Sequence, residues 1–202
     1  LAVSAGPSPS IYVCAAGAGI VRGAVDEGGW HTVSHSLPRN VTAVATHARQ
    51  DATVYAYAPN RGIYRSDDTG VSWRLMDAGP RGGITRFVHS DMPGSMQTGW
   101  LFATGPQGVR LSMDCFCGWR ATGELPSSAN AIACDPRQPA RVVVTAGVGV
   151  FESTDGAQTW SKLPAPGAPV AALAIGNDGT VYAGVGSRLL RRTATGWDAL
   201  DA

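Results

Sequence analysis

Charge is scarce in this sequence of 202 residues: Asp, Glu, Lys and Arg together make up 15%, and the formal net charge is +1. So little charge beside 44% apolar residues describes a chain with enough material for a core, which excludes disorder. Nor does it produce a field that would draw nucleic acid or an anionic membrane. Glutamate occurs only at Glu27, Glu124 and Glu152. Long apolar runs are missing as well: no stretch approaches the roughly 18 residues needed to cross a bilayer, so no membrane span is expected. The first residues, Leu1-Ala-Val-Ser-Ala-Gly-Pro, contain neither a basic region nor a long apolar stretch, so no signal peptide or anchor is visible. If the chain is exported, its signal has already been removed. No helical period is sustained anywhere, which leaves strands as the building material.

What is present is turn chemistry and tryptophan. Gly 26 and Pro 13 are scattered along the chain, as expected when short strands alternate with tight turns. Trp30, Trp73, Trp119, Trp160 and Trp197 follow one another at separations of 43, 46, 41 and 37 residues, with Trp100 outside the series. Each closes a similar pattern of apolar strand, turn, apolar strand, Gly-rich turn, strand, hairpin and Trp strand. The fourth unit shows it best, with Ala131 to Cys134, Arg141 to Thr145, Val150 to Ser153 and a hairpin to Trp160. A four-stranded antiparallel unit of about 40 residues repeated along a chain is the signature of a propeller blade. The expectation is therefore all-β: one domain over 1–202, a five-bladed β-propeller with blades at about 1–34, 41–76, 84–122, 130–163 and 170–200. Beginning on a first strand and ending on a last one, such a ring would close by joining whole blades without exchanging a strand. The rival reading is that these five units belong to a longer propeller.

The hairpins carry a motif, Ser-x-Asp-x-Gly-x-Ser/Thr-Trp. It is complete in Ser66-Asp-Asp68-Thr-Gly70-Val-Ser72-Trp73 and has Ala157 at the glycine position in Ser153-Thr-Asp155-Gly-Ala157-Gln-Thr159-Trp160. Ser112, Asp114 and Trp119 keep part of it, Asp26 is out of register in the first unit, and Thr193 to Trp197 is shortened and has no Asp. This pattern resembles the Asp-box, or BNR, repeat, and the resemblance spans nearly the whole chain. Among the families sharing that repeat, the phrase Ile-Ala-Cys-Asp-Pro-Arg-Gln-Pro with Val-Val-Val-Thr-Ala-Gly is similar to the photosystem II assembly factor, sortilin and xyloglucanase group. A carboxylate and a hydroxyl bonding the backbone of a tight turn, with glycine at positive φ, make Asp68, Asp114 and Asp155 structural acids rather than a catalytic set. A sialidase would need an Arg-Ile-Pro type motif, which is absent, and the few acids argue against glycosidase chemistry, which needs paired carboxylates.

In Asp-box families the motif hairpins lie at one end of the ring, which implies that binding loops sit at the other. On that face are expected Arg39 and Asn40, Asn60 and Arg61, Arg81, and Gln107, three guanidiniums that would hold a carboxylate, a phosphate or an acidic protein surface. The plainer alternative is solvated loop arginines. His47, His89 and Cys134 fall at matching innermost-strand ends and have the chemistry of zinc or copper ligands, but no ligand spacing supports them, so neither a metal nor another cofactor is expected. Four cysteines allow one inter-blade disulfide from Cys115 or Cys117 to Cys134, which would suit a periplasmic or secreted, extracytoplasmic location. Cys115 and Cys117 also form a Cys-x-Cys pair open to a metal or redox role, against which stand the intervening Phe116 and the want of a basic neighbour. The function expected is a non-enzymatic binding or assembly scaffold facing a protein partner. The alternative is a glycan-binding lectin or a sialidase-like glycoside hydrolase, for which Asp51, Asp77 and Glu124 are the available carboxylates and Trp100 and the blade tryptophans the available rings.

Overall fold

A computed structural model describes residues 1–15, 17–24, 28–95 and 99–200. Among these the fold is all-β, with twenty strands and no helix. The first sheet holds β1 (Ala2–Val3), β2 (Ser10–Ala15), β3 (Gly19–Ala24) and β4 (Trp30–Thr32), and the second β5 (Ala43–Thr46), β6 (Val54–Ala58), β7 (Gly62–Ser66) and β8 (Arg74–Asp77). The third holds β9 (Arg86–Ser90), β10 (Trp100–Gly105), β11 (Gly108–Met113) and β12 (Arg120–Ala121). The fourth holds β13 (Ala129–Cys134), β14 (Val142–Ala146), β15 (Gly149–Ser153) and β16 (Ser161–Leu163), and the fifth β17 (Ala172–Ile175), β18 (Val181–Val185), β19 (Arg188–Arg192) and β20 (Trp197–Leu200). Strands are neighbours in chain order within every sheet, so the five sheets are the blades of a five-bladed β-propeller. The chain forms two compact units, Leu1–His89 and Ser90–Ala202, divided within β9.

Second strands explain the apolar runs. Val54-Tyr-Ala-Tyr-Ala58 in β6, Trp100 to Gly105 in β10 and Val142-Val-Val-Thr-Ala146 in β14 are buried at every position. A strand covered on both faces reads as a continuous apolar run rather than an alternating one. Outermost strands do the opposite: β4, β12 and β16 are short and largely exposed, which blunts an edge that would otherwise pair with another chain. In the first unit Tyr12, Ile20, Val44 and Val54 form a cluster lined by Val33 and Trp73. In the second, Val143, Val150, Val181 and Leu190 form another, lined by Trp197. Each buried side chain of this size contributes roughly 1.5–3 kcal/mol.

The repeated tryptophan joins one blade to the one before it. Trp73 Nε1 donates to the carbonyl of Val33, Trp160 Nε1 to that of Gly123, and Trp197 Nε1 to that of Pro164, at 2.8, 3.1 and 2.7 Å. Each acceptor lies one or two residues past the preceding blade's last strand. Only an aromatic with a donor at its tip both packs and bonds in this way.

Hairpins two and four are built alike. Ser66 Oγ donates to Asp68 and accepts the N–H of Gly70, while Asp68 accepts the N–H and hydroxyl of Ser72. Ser153, Asp155, Ala157 and Thr159 repeat every one of these bonds. Gly70 has φ +95°, and Ala157 adopts +69° in its place, its N–H bonded to Ser153 Oγ as that of Gly70 is to Ser66 Oγ. Hydrogen bonds from Ser72 and then from Ser66 hold the Asp68 carboxyl near pH 2, and those from Thr159 and then Ser153 do the same for Asp155. Both folded values lie below the unfolded value of about 3.9, so the ionised carboxylates stabilise the fold above pH 4 and the contribution is lost as pH falls towards 2. The Asp68→Asn, Asp155→Asn double variant should therefore be less stable than wild type at pH 7 and equal to it near pH 2. Urea midpoints measured across that range check this.

The other hairpins depart from the pattern. In the third, Ser112 Oγ turns to the carbonyl of Met113, and Asp114, fully buried, accepts from Ser95 Oγ instead. In the fifth, Thr193 and Gly196 close a shortened turn with two hydrogen bonds. Asp26 and Glu27 of the first lie outside the described residues. The disulfide expected to reach Cys134 is instead closed within the third hairpin, between Cys115 and Cys117, whose Cα atoms lie 5.5 Å apart. Cys134 remains a free thiol, as does Cys14.

Candidate functional site

Five of the six expected binding residues lie in the first unit, at one end of blade two. The connector 33–42 carries Arg39 and Asn40, the β6–β7 turn carries Asn60 and Arg61, and the connector after β8 carries Arg81. Asn40 Nδ2 donates to the carbonyl of Pro59 at 3.1 Å, tying the first loop to the second. Asn60 takes φ +61° and the N–H of Arg61 bonds the carbonyl of Ala58, which makes a tight turn whose side chains point outward. The third loop turns on a bond from the N–H of Gly83 to the carbonyl of Pro80. It rests on Tyr57, the penultimate residue of β6: a Cβ on Gly83 would lie 3.1 Å from the Tyr57 hydroxyl, and one on Gly79 would lie 3.4 Å from the ring. Three loops thus meet over the end of one strand.

Arg39, Arg61 and Arg81 are all exposed, and among the described residues none is in an ion pair. Several other arginines are occupied. Arg22 bonds Ser10 and Thr69, Arg65 pairs with Asp67, and Arg141 joins Asp135 to Glu152. Gln107 stands apart in the second unit, in the β10–β11 turn, where its Oε1 accepts from Arg110.

The carboxylates available for hydrolysis do not converge. Asp51 sits in the β5–β6 turn, and Asp77 opposite Ile63 at the far end of the same blade, with its Oδ1 taken by the N–H of Gly79. Glu124 is an exposed residue of the second unit, between blades three and four. Of the tryptophans that offer rings to a sugar, Trp30 is 56% exposed. Trp100 is buried with Nε1 on the carbonyl of Pro93, and Trp73, Trp160 and Trp197 spend their Nε1 on blade joints.

His47 and His89 do meet, stacked with ring centroids 3.9 Å apart. His47 Nδ1 accepts the N–H groups of Arg49 and Gln50, and His89 Nδ1 accepts that of Ala48. A neutral imidazole whose Nδ1 lone pair accepts carries its proton on Nε2. Cys134 does not share their position. The residue equivalent to His47 is Asp135: each follows a first strand, bonds across to the second, and accepts the N–H groups two and three residues on. The Cys134 thiol is buried, and burial followed by the Asp135 charge pushes its pKa far above the usual range.

One cluster has no counterpart among the sequence expectations. Arg141 Nη1 donates to Asp135 Oδ2 at 2.8 Å and to the carbonyl of Gly179 in the next blade at 2.7 Å, while its Nε donates to Glu152 at 2.8 Å. Burial pushes the Asp135 carboxyl up, but Arg141 and the N–H groups of Arg137 and Gln138 outweigh that and hold it below its ordinary value. The signal lay in the residue types: an Asp-Pro turn, an Arg just before β14 and a Glu in the strand paired to it.

The sequence matches no protein-family model, and no curated protein matches it. Solved structures do share its fold. An ancestral GH74 enzyme superposes with a TM-score of 0.67 at 16% identity, over 98% of this chain and 30% of its own. The GH74 xyloglucanase from Xanthomonas campestris gives 0.64 at 15% identity, over 95% of this chain and 36% of its own. YCF48 bound to D1 peptide gives 0.61 at 14% identity, over 96% of this chain and 63% of its own. The chain thus spans about a third of the GH74 structures and just under two thirds of YCF48, and what it shares with them is the β-propeller fold.

Proposed function

We propose that this chain is a non-enzymatic binding or assembly scaffold, and that the loop end of blade two, with Arg39, Asn40, Asn60, Arg61 and Arg81, receives an acidic segment of a protein partner. The observation that carries this is the set of three exposed guanidiniums on loops gathered at the end of β6, each outside every ion pair among the described residues. Guanidiniums with no intramolecular partner are available for forked bonds to carboxylates, and arginine is enriched where interfaces are strongest. The YCF48 structure, a propeller holding a peptide, supports a protein partner. On this reading the Ser-Asp-Trp hairpins are Asp-boxes, structural in role, and the chain works outside the cytoplasm.

The GH74 neighbours favour a second reading, in which the face binds or cleaves a glycan. Against it stand Asp51 and Asp77 at opposite ends of their blade. Cross-linking pull-downs with wild type and an Arg39→Ala, Arg61→Ala, Arg81→Ala triple variant of matched thermal stability separate the two. The scaffold reading predicts a protein recovered with wild type and lost in the variant. Recovery of no protein by either form, together with turnover of a xyloglucan oligosaccharide, would overturn it.

A further inference from the structure

We propose that Cys115–Cys117 is an exchangeable disulfide, a site of thiol–disulfide exchange with a dithiol protein, rather than a permanent staple. Four observations converge on the third hairpin. The bond closes across a single residue, the smallest loop among the pairings these cysteines allow, so it gains little from restricting the unfolded chain. That single residue, Phe116, is held at φ +55°, a left-handed conformation disfavoured for an aromatic, so opening the ring lets the backbone relax. Cys117 is exposed and Cys115 half-buried, which leaves one sulfur open to an incoming thiolate, beside the half-buried rings of Phe116 and Trp119 as a contact surface. Finally, the disulfide stands where hairpins two and four have their Ser–Asp bonds: here Ser112 has turned to Met113 and Asp114 to Ser95. The hairpin's shape therefore depends on the redox state of this pair, while the strands flanking it have their own ladders.

The exchange balances as two displacements. A partner thiolate attacks Cys117 Sγ, forming a mixed disulfide as the Cys115–Cys117 bond breaks and Cys115 leaves as a thiolate that takes up a proton. The partner's second thiolate then attacks its own sulfur in the mixed disulfide, closing the partner's disulfide and releasing Cys117, which is protonated in turn. The partner dithiol is oxidised by two electrons and the hairpin reduced by two; oxidation of the hairpin runs the same steps backward. The other two cysteines stay out of the exchange, because burial pushes the thiols of both Cys14 and Cys134 up and away from thiolate.

The test uses the native chain, incubated with reduced thioredoxin as the dithiol probe, quenched with an alkylating reagent and read by mass spectrometry. The expected result is a two-electron change confined to Cys115 and Cys117 in protein that keeps its far-ultraviolet dichroism, with new protease cleavage only in the third hairpin. Oxidised glutathione should cap Cys117 in the Cys115→Ser variant at least tenfold faster than Cys115 in the Cys117→Ser variant. A pair that stays oxidised in native protein under thioredoxin and opens only on unfolding would overturn the proposal. So would reduction that unfolds the chain, or equal capping of the two cysteines.

Discussion

Arg141→Leu is expected to destabilise the second unit by about 3–5 kcal/mol, the usual cost of removing one partner from a buried ion pair. The Asp135 side chain is fully excluded from solvent and Glu152 is largely so, and both depend on one guanidinium, which also bonds the carbonyl of Gly179. Leucine fills much of the space but leaves a buried carboxylate facing it with only two backbone N–H donors. The loss has a pH signature. In wild type the Asp135 pKa is held below its ordinary value, so its contribution is present at neutral pH and fades as pH falls. Without Arg141, burial would raise that pKa and let the group protonate, so the deficit should be largest near pH 7 and shrink below pH 4. Urea unfolding at the two pH values measures both. A deficit independent of pH would mean that lost packing, not the stranded carboxylate, is responsible.

Gly123→Ala is expected to cost about 2–3 kcal/mol, although the change adds a single methyl group at a part-exposed position. Gly123 sits where the end of blade three meets the hairpin of blade four. Its N–H donates to the carbonyl of Ala157, and its own carbonyl accepts Trp160 Nε1. A Cβ there would lie 2.3 Å from the carbonyl oxygen of Gln158 and 3.1 Å from the Trp160 ring. The obstacle is backbone, which cannot swing aside as a side chain does, so relief requires parting the two segments and loses both hydrogen bonds. Trp160→Phe, which keeps an aromatic ring but removes the donor and part of the indole, should cost at least about 1 kcal/mol. The double variant should cost less than the sum, since both changes act on one joint. Thermal unfolding of the two single variants and the double variant checks this, and simple additivity would show that the joint is not shared.

The architecture was legible because the repeat forces each blade to state its elements in the same order. Trp73, Trp160 and Trp197 recur at blade spacing since each closes a joint to the previous blade, and β6, β10 and β14 read as apolar runs since both their faces are covered. Finer placement was not legible. Cys134 was aligned with His47 where Asp135 belongs, a slip of one residue that turns a side chain to the opposite face. The irregular register between Ala129 and Ile132 in β13 is invisible in a strand of alternating small and apolar residues. Cys115 pairs with Cys117 because a tight turn brings them together, whereas the placement of both near the same end of the ring as Cys134 points to the inter-blade pairing. Asp114 kept the motif's residue type while its carboxylate turned to Ser95, a residue nineteen positions earlier that no local pattern announces. For the binding face, the three arginines were readable as loop residues; the contacts that gather their loops, Asn40 to Pro59 and Gly83 against Tyr57, are long-range and had to be seen.

The scaffold claim is tested most directly by fluorescence anisotropy of a labelled peptide rich in Asp and Glu, titrated with wild type and with the Arg39→Ala, Arg61→Ala, Arg81→Ala variant at two salt concentrations. The account predicts binding by wild type that weakens with salt, and a loss of at least about tenfold in the variant, which is about 1.4 kcal/mol, with no binding of the matching Asn and Gln peptide. Equal binding by both proteins, or affinity for a xyloglucan oligosaccharide that the three substitutions leave unchanged, would contradict it.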